Sequence, residues 1–348
     1  MRIEKLLASI GDDKAVFISS YPNIFYYSGF STEDGFLLIS KDKRILITDS
    51  RYTVQAKEQA PEFEVVDISE GFKSIFARIS EKIIGFEEQS LTYAEYERYN
   101  AALSDGQVFE KMQEKINAPR RIKDDCEIKR IAEAERLGDE AFSYVLDKIK
   151  PGMTENEVAL MIEFFMKKNG ASGLSFDTIA ASGLRGAMPH GRASDKIIEK
   201  GDLLTLDFGC VYEGYCSDMT RTIAIGSVEQ WQQDMYNLVL KAQTEALKAI
   251  TAGKKCSEVD AVARSIIADA GFGKNFGHGL GHSVGIEIHE EPRLSPKCYD
   301  IIQNGNLLTV EPGVYVENMG GVRIEDLVAV VDGKPLNLTH SEKSLIIL

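Results

Sequence analysis

Four carboxylates and a cluster of histidines carry the chemistry open to this chain. Asp207 and Asp218 lie in LDFGCVYEGYCSDMTRT, which reads as two strands folded back at Tyr212-Glu213-Gly214. With Tyr212 and Glu213 as the turn, Asp207 falls directly opposite Asp218, on one face with Cβ atoms about 4.5–5.5 Å apart. Two carboxylates that close repel unless a positive charge lies between them. Glu311 and Glu325 occupy a second strand pair, LLTVEPGVYVENMGGVRIEDLVAV, whose midpoint Asn318 falls in a polar turn, so they can also face each other. The chain has five histidines, and His278, His282 and His289 fall together in HGLGHSVGIEIH, with His190 in a Pro-His-Gly step. His340, in a polar stretch near the C-terminus, is assigned to the surface.

A mostly oxygen donor set with one or two imidazoles and no paired cysteines favours Mn²⁺, Co²⁺, Fe²⁺ or Zn²⁺ over a thiolate-type structural zinc. Four formal negative charges match two dications better than one. Two ions about 3.5–4 Å apart can share a water and lower its pKa, and nearby histidines can orient a carbonyl or steady the charge on a tetrahedral intermediate. The reaction class is hydrolysis at a carbonyl or phosphoryl centre. Taken alone, the first aspartate pair reads equally well as two solvent-facing residues beside a surface turn.

The elements around these residues favour the metal reading. A long helix from Asp125 to about Lys148 is broken at Pro151-Gly152, and Thr154 to Glu157 forms a capping box that opens a second helix to about Lys168. The same order returns from Ser227 to Gly271, with Gly152, Glu157-Val158 and Gly170 matched by Gly253, Glu258-Val259 and Gly271 at an offset of 101 residues. Glu311 and Glu325 follow Asp207 and Asp218 by 104 and 107 residues, close to that period. Two related halves would then each deliver two carboxylates to one centre.

The first third alternates strands and helices. Strands are expected at Ala15–Ser19, Phe36–Ser40, Arg44–Thr48, Glu64–Ile68 and Ile83–Phe86, with helices at Arg2–Ile10, Arg51–Gln59, Phe72–Ile79 and Tyr93–Ala102. It holds no histidine and no catalytic cluster; Tyr26, Tyr27 and Tyr52 are read as packing residues. The charged run from Lys111 to Asp125, with Pro119, is expected to be a linker, dividing the chain into domains 1–117 and 118–348.

The whole-chain balance narrows the partners. A net charge of −14 with no strongly basic stretch argues against nucleic acid and anionic membranes. The five cysteines are dispersed without a CxxC, which fits a reducing cytoplasm, and the N-terminus carries no signal-peptide pattern. No window approaches the ~20 apolar residues of a membrane span.

Asp-x10-Asp, HGLGHSVGIEIHEEP, TVEPG and GGVRIED, in this order, resemble the proline-specific metallopeptidases of the pita-bread fold, the Xaa-Pro dipeptidases and Xaa-Pro aminopeptidases. NIFYYSGF and ILITDSRYTVQA resemble the creatinase-type domain that precedes their catalytic domain. The resemblance covers most of the chain. It implies an α+β protein: a small α/β N-terminal domain, then a pseudo-twofold domain with helices backing a curved antiparallel sheet. It implies Asp207, Asp218, His282, Glu311 and Glu325 as ligands of two divalent ions, Mn or Co first and Zn or Fe next, with Asp218 and Glu325 bridging. Asp207 would serve one ion, and His282 and Glu311 the other. By the same resemblance Glu311 doubles as general base, His289 steadies the intermediate, and His190 and His278 contact substrate. Arg323, two residues before Glu325 on the same strand face, would hold a carboxylate ligand. Arg293, in HEEPRLSP, would grip the free carboxylate of a dipeptide. The substrate would be a small peptide with proline second, and the assembly a homodimer. A methionine aminopeptidase-like enzyme and a peptide-binding module without catalysis are the other occupants of this scaffold; the N-terminal domain argues against the first and the filled ligand positions against the second.

Overall fold

The computed structural model describes residues 2–348. It divides into two compact units that meet in sequence at Arg120 and Arg121, three residues beyond the expected boundary. Among the described residues no helix is long and apolar enough to cross a membrane.

The first unit is built on a six-stranded mixed sheet. Its order is Glu64–Asp67, Arg44–Thr48, Gly35–Ile39, Lys14–Ile18, Ile83–Phe86 and Val108–Lys111. The central strands are unbroken buried runs, such as Ala15 to Ile18 and Ile45 to Ile47, as strands covered on both faces require. Several elements lie outside the sequence reading. Helix Tyr21–Ser28 is short and aromatic-rich and was masked by the lack of a polar face; Pro22 sits in its first turn, where no amide is needed. The last strand, Val108–Lys111, is an exposed edge without apolar alternation. The stretch expected to be a linker is ordered instead. It holds helix Gln113–Asn117 and a 3-10 turn over Ala118–Arg121 that accommodates Pro119. Tyr26 and Tyr27 donate their hydroxyls to the carbonyls of Pro119 and Ile116, tying helix to turn within this unit.

The second unit is two similar halves, each with its own core. Helices Asp125–Leu146 and Glu155–Lys168 pack on strands Ile179–Ser182, Leu203–Phe208 and Met219–Ala224, burying Phe142, Ile162, Leu204 and Phe208. Helices Gln230–Ala249 and Cys256–Asp269 pack on the sheet that holds Gly281–Ser283, Leu307–Val310 and Asp326–Val331, burying Tyr236, Val259, Leu308 and Val328. Capping boxes start both helices of the first half, Asp124 with Glu127 and Thr154 with Glu157. The halves join along a seam where the Glu325 amide donates to the Thr220 carbonyl at 3.1 Å and the Thr222 hydroxyl donates to the Arg323 carbonyl at 2.9 Å.

The register of the first hairpin differs from the expected one. Its two turn residues are Glu213 and Gly214, both at positive φ (46° and 83°), and Tyr212 pairs with Tyr215. A two-residue hairpin turn with both residues left-handed matches the strand twist, and glycine enters that region without penalty. Tyr212 therefore stays in the strand, and Asp207 faces Thr220, not Asp218. The pairing has slipped by two residues, an even number, so the side chains keep their face. Asp218 lies in the break between the two ladders. There Gly209 is obligatory, because a Cβ on it would stand 1.9 Å from the Ser217 carbonyl oxygen. The second hairpin keeps the expected register: Val310 faces Asp326 and Gly313 faces Arg323, so Glu311 and Glu325 stand opposite in the gap between these pairs.

Candidate metal centre and substrate cavity

All ten site residues singled out in the sequence line one cavity of about 1010 Å³ in the second unit. The four carboxylates reach it from the seam. Asp207 projects from the buried strand Leu203–Phe208, and Asp218 from the ladder break, where its amide donates to Glu135 at 3.2 Å. Glu311 is held by its amide on the Leu280 carbonyl at 2.8 Å, and its Oε1 accepts from the Thr309 hydroxyl at 3.3 Å. Glu325 Oε2 accepts from the Thr220 hydroxyl at 2.7 Å.

His282 reaches the same point from strand Gly281–Ser283. Its Nδ1 lies 3.1 Å from the Ser283 carbonyl and so carries the proton, which leaves Nε2 as a lone pair. That lone pair faces Asp218 Oδ2 at 3.5 Å and Glu311 Oε1 at 3.4 Å. Burial, then His289, pushes the His282 pKa down to about 3, so the ring is neutral and three acceptors confront one another. Atoms of Asp218, His282 and Glu325 all lie within 4.8 Å of one another.

The electrostatics of this group are unfavourable as they stand. Burial raises the Asp218 carboxyl well above its usual range, with Glu325, Asp207 and Glu311 adding to the shift. Glu325 is raised by burial and by Glu311, and burial pushes Glu311 up to about 8. Asp207 Oδ1 and Glu325 Oε1 are buried without a hydrogen-bond partner. Unpartnered buried carboxylate oxygens cost free energy, and hard divalent cations are the ions that such oxygens bind. The donor set, four carboxylates and one Nε2 with no thiol, fits divalent metal ions.

One guanidinium organises the inner wall. Arg323 Nη2 lies 2.5 Å from Asp207 Oδ2, its Nε donates to the Thr220 hydroxyl at 3.1 Å, and Nη1 donates to Tyr315 at 2.7 Å and to the Pro189 carbonyl at 3.1 Å. Because Arg323 only donates, the Tyr315 oxygen accepts from it and sends its own proton to His278 Nε2 at 3.1 Å. The other ring nitrogen, Nδ1, then donates to the Gly279 carbonyl at 2.8 Å. His278 is thus neutral with both nitrogens engaged, in line with a pKa lowered by burial to about 4. It lines the cavity as part of a hydrogen-bonded chain that ends on Asp207.

The remaining residues stand at the rim. His289 is exposed and lies edge-on to His282 with ring centroids 4.6 Å apart. His190 is exposed in the turn that follows Pro189. Arg293 alternates outward on strand Glu290–Leu294, half exposed, with one 3.4 Å contact to Glu291. His340 is exposed and away from the cavity lining.

Sequence reasoning missed the residues beneath the carboxylates. Thr220 bridges Arg323 and Glu325; its position two residues after Asp218, on the same strand face, was the available signal. Tyr315 was signalled only by the glycines around it: a Cβ on Gly321 would stand 2.9 Å from its ring and one on Gly313 2.4 Å from its hydroxyl. Arg221 and Asp326 form a fully buried ion pair at 2.8 Å, one residue beyond Thr220 and Glu325 and facing the opposite way.

Residues 129–332 match the model of metallopeptidase family M24, and residues 2–122 match the creatinase/prolidase N-terminal domain. The chain belongs to metallopeptidase family M24. A Xaa-Pro dipeptidase of Pyrococcus horikoshii is 39% identical over 95% of this chain and 94% of its own. The solved Xaa-Pro dipeptidase of Bacillus anthracis superposes with a TM-score of 0.95 at 41% identity, covering 100% of this chain and 99% of that one. The X-Pro aminopeptidase of Thermotoga maritima superposes at 0.93 with 37% identity and complete coverage of both (100% and 100%). This M24 chain therefore joins a creatinase/prolidase N-terminal domain to an M24 catalytic domain, and its architecture of helices and antiparallel sheets matches that of the solved structures.

Proposed function

We propose that the protein hydrolyses the peptide bond between an N-terminal residue and proline, as a Xaa-Pro dipeptidase or Xaa-Pro aminopeptidase with two divalent ions. The observation that carries this is the convergence of His282 Nε2 with the carboxylates of Asp218, Glu311 and Glu325, together with buried oxygens of Asp207 and Glu325 that have no partner. Asp207, Asp218, His282, Glu311 and Glu325 would hold the ions. When bound, such ions polarise the substrate carbonyl and lower the pKa of the attacking water. Glu311, the carboxylate least enclosed by its surroundings and set against His282, takes the proton of that water. His289, beside His282 and open to the cavity, donates to the oxygen on which charge develops. His190 contacts the substrate at the rim. His278 presents its neutral ring edge to the cavity wall and keeps Tyr315 aligned. Arg323 fixes the carboxylate of Asp207 for ligation, as partners behind metal ligands do. Arg293, on the open side with only one weak acidic contact, is available to bind a substrate carboxylate bidentately, which favours dipeptides.

A panel of Xaa-Pro dipeptides, Xaa-Pro-Yaa tripeptides and Met-Ala peptides, assayed with and without Mn²⁺ or Co²⁺, tests the reading. Turnover confined to proline-containing peptides and dependent on metal is expected. Preference for the methionine peptides would refute it. A cytoplasmic homodimer completes the proposal: none of the five cysteines is in a disulfide, and the dimer follows the family resemblance, with sedimentation as its test.

A further inference from the structure

The segment Phe276 to Leu280 carries His278 into the cavity wall, yet it belongs to no strand. Buried backbone outside a ladder must find other partners. Here they come from one ion pair on helix Cys256–Asp269. Asp260 and Arg264 are four residues apart and so share a helix face. Arg264 Nε and Nη2 grip the two oxygens of Asp260 at 2.7 and 2.8 Å, a bidentate pairing that fixes the guanidinium plane. Its Nη1 donates to the Phe276 carbonyl at 3.0 Å and its Nη2 to the His278 carbonyl at 2.7 Å. Asp260 Oδ1 accepts from the Leu280 amide at 3.0 Å. The guanidinium also lies over the Phe276 ring, 4.3 Å from its centroid.

Three alternate residues, Phe276, His278 and Leu280, are therefore held from behind by one pair, as a neighbouring strand would hold them. Asp260 is 1% exposed, so the pair is anchored in the core while its donors reach the loop. On the other side of the same loop, the Leu280 carbonyl accepts the Glu311 amide at 2.8 Å, and the His278 ring meets Tyr315 at 3.1 Å. We propose that Asp260 and Arg264 are positioning residues for the hydrolytic reaction, setting the loop that aligns His278 with Tyr315 and Arg323. Neither lines the cavity itself. Their effect on turnover passes through His278, and they hold no ion themselves.

The inference rests on the cavity being the site of hydrolysis. It is tested on whichever peptide of the panel the unaltered, metal-loaded enzyme cleaves fastest. A best substrate without proline would count against the Xaa-Pro reading and leave this test intact. Arg264→Met should lower kcat/KM by about 10- to 100-fold, the scale of an ångström-sized misplacement of a reacting group, chiefly in kcat. The double variant Asp260→Asn with Arg264→Met removes both charges, so that a buried unpaired carboxylate cannot be the cause, and should show a similar loss. Metal content should be that of the unaltered protein, and both variants should still unfold in one cooperative transition, with a lower Tm in Arg264→Met, where Asp260 is left unpaired. In a His278→Ala background the Arg264→Met effect should shrink to about twofold or less, because the residue it acts through is gone. An undiminished loss in that background would overturn the inference, as would unaltered kinetics in Arg264→Met or loss of bound metal in both variants.

Discussion

Removing the divalent ions should convert the site into a pH-dependent source of instability. Asp218, Glu311 and Glu325 are packed around one neutral imidazole, and Asp207 beside them is paired with the guanidinium of Arg323. Without metal the burial of Glu311 raises its pKa from 4.5 to about 8. A carboxyl whose pKa is higher folded than unfolded binds its proton more tightly in the fold. Its contribution is therefore fully present below pH 4.5 and is lost as the pH rises towards 8. Each pH unit within that window costs about 1.4 kcal/mol, so Glu311 alone destabilises the metal-free fold by on the order of 3 kcal/mol between pH 5 and 7.5. Asp218 and Glu325 shift in the same direction and add to it. For a unit of this size 3 kcal/mol corresponds to roughly 6–12 °C in Tm. The assay is thermal denaturation of chelator-stripped protein across that range, beside protein reloaded with Mn²⁺. The metal-free Tm should fall with pH; the reloaded protein should fall less, since bound ions hold the carboxylates ionised. Glu311→Gln should flatten the metal-free slope. A metal-free Tm that stays level or rises over this window, or a slope indifferent to metal, would refute the reasoning.

Other perturbations test separate parts of the site. Arg293→Ala should raise KM for Xaa-Pro dipeptides about tenfold or more while leaving tripeptides near the unaltered value, because only the dipeptide presents its carboxylate there; an unchanged dipeptide KM would sink the carboxylate role. Tyr315→Phe leaves His278 Nε2 without its partner and Arg323 Nη1 with the Pro189 carbonyl alone, a cost of about 1–3 kcal/mol that should appear as a roughly tenfold or larger fall in kcat/KM with metal content intact. Arg221→Met leaves the fully buried Asp326 short of its closest guanidinium and should lower stability by about 3 kcal/mol in urea denaturation, even though Lys343 also reaches that carboxylate.

The ligand candidates were legible in the sequence because their signal is local and repeated. Parity along a strand is a property of the chain, so Asp207 with Asp218, and Glu311 with Glu325, could be placed on shared faces from spacing alone. The helix starts were equally legible, since a capping box such as Thr154 with Glu157 lies within four residues. Register was less so. Glu311 and Glu325 stand opposite as counted, but Glu213-Gly214 moved the first hairpin by two residues, because the turn follows the residues that accept positive φ. The even slip preserved the face and left the direct opposition of Asp207 and Asp218 untrue.

What only the tertiary structure decided is the layer behind the ligand candidates. Thr220 between Arg323 and Glu325, Tyr315 between Arg323 and His278, and Asp260 with Arg264 behind the His278 loop unite residues up to 105 positions apart. No periodicity encodes such pairings: the Thr220 contacts depend on how two separately cored halves meet at a seam, and the others on how the His278 loop packs within the second half. Residue type and strand parity fixed which groups can share a face. Packing fixed which hydrogen bonds each group makes, and the local fold of the loop around His278 and His282, which turns their rings onto the Gly279 and Ser283 carbonyls, fixed their tautomers.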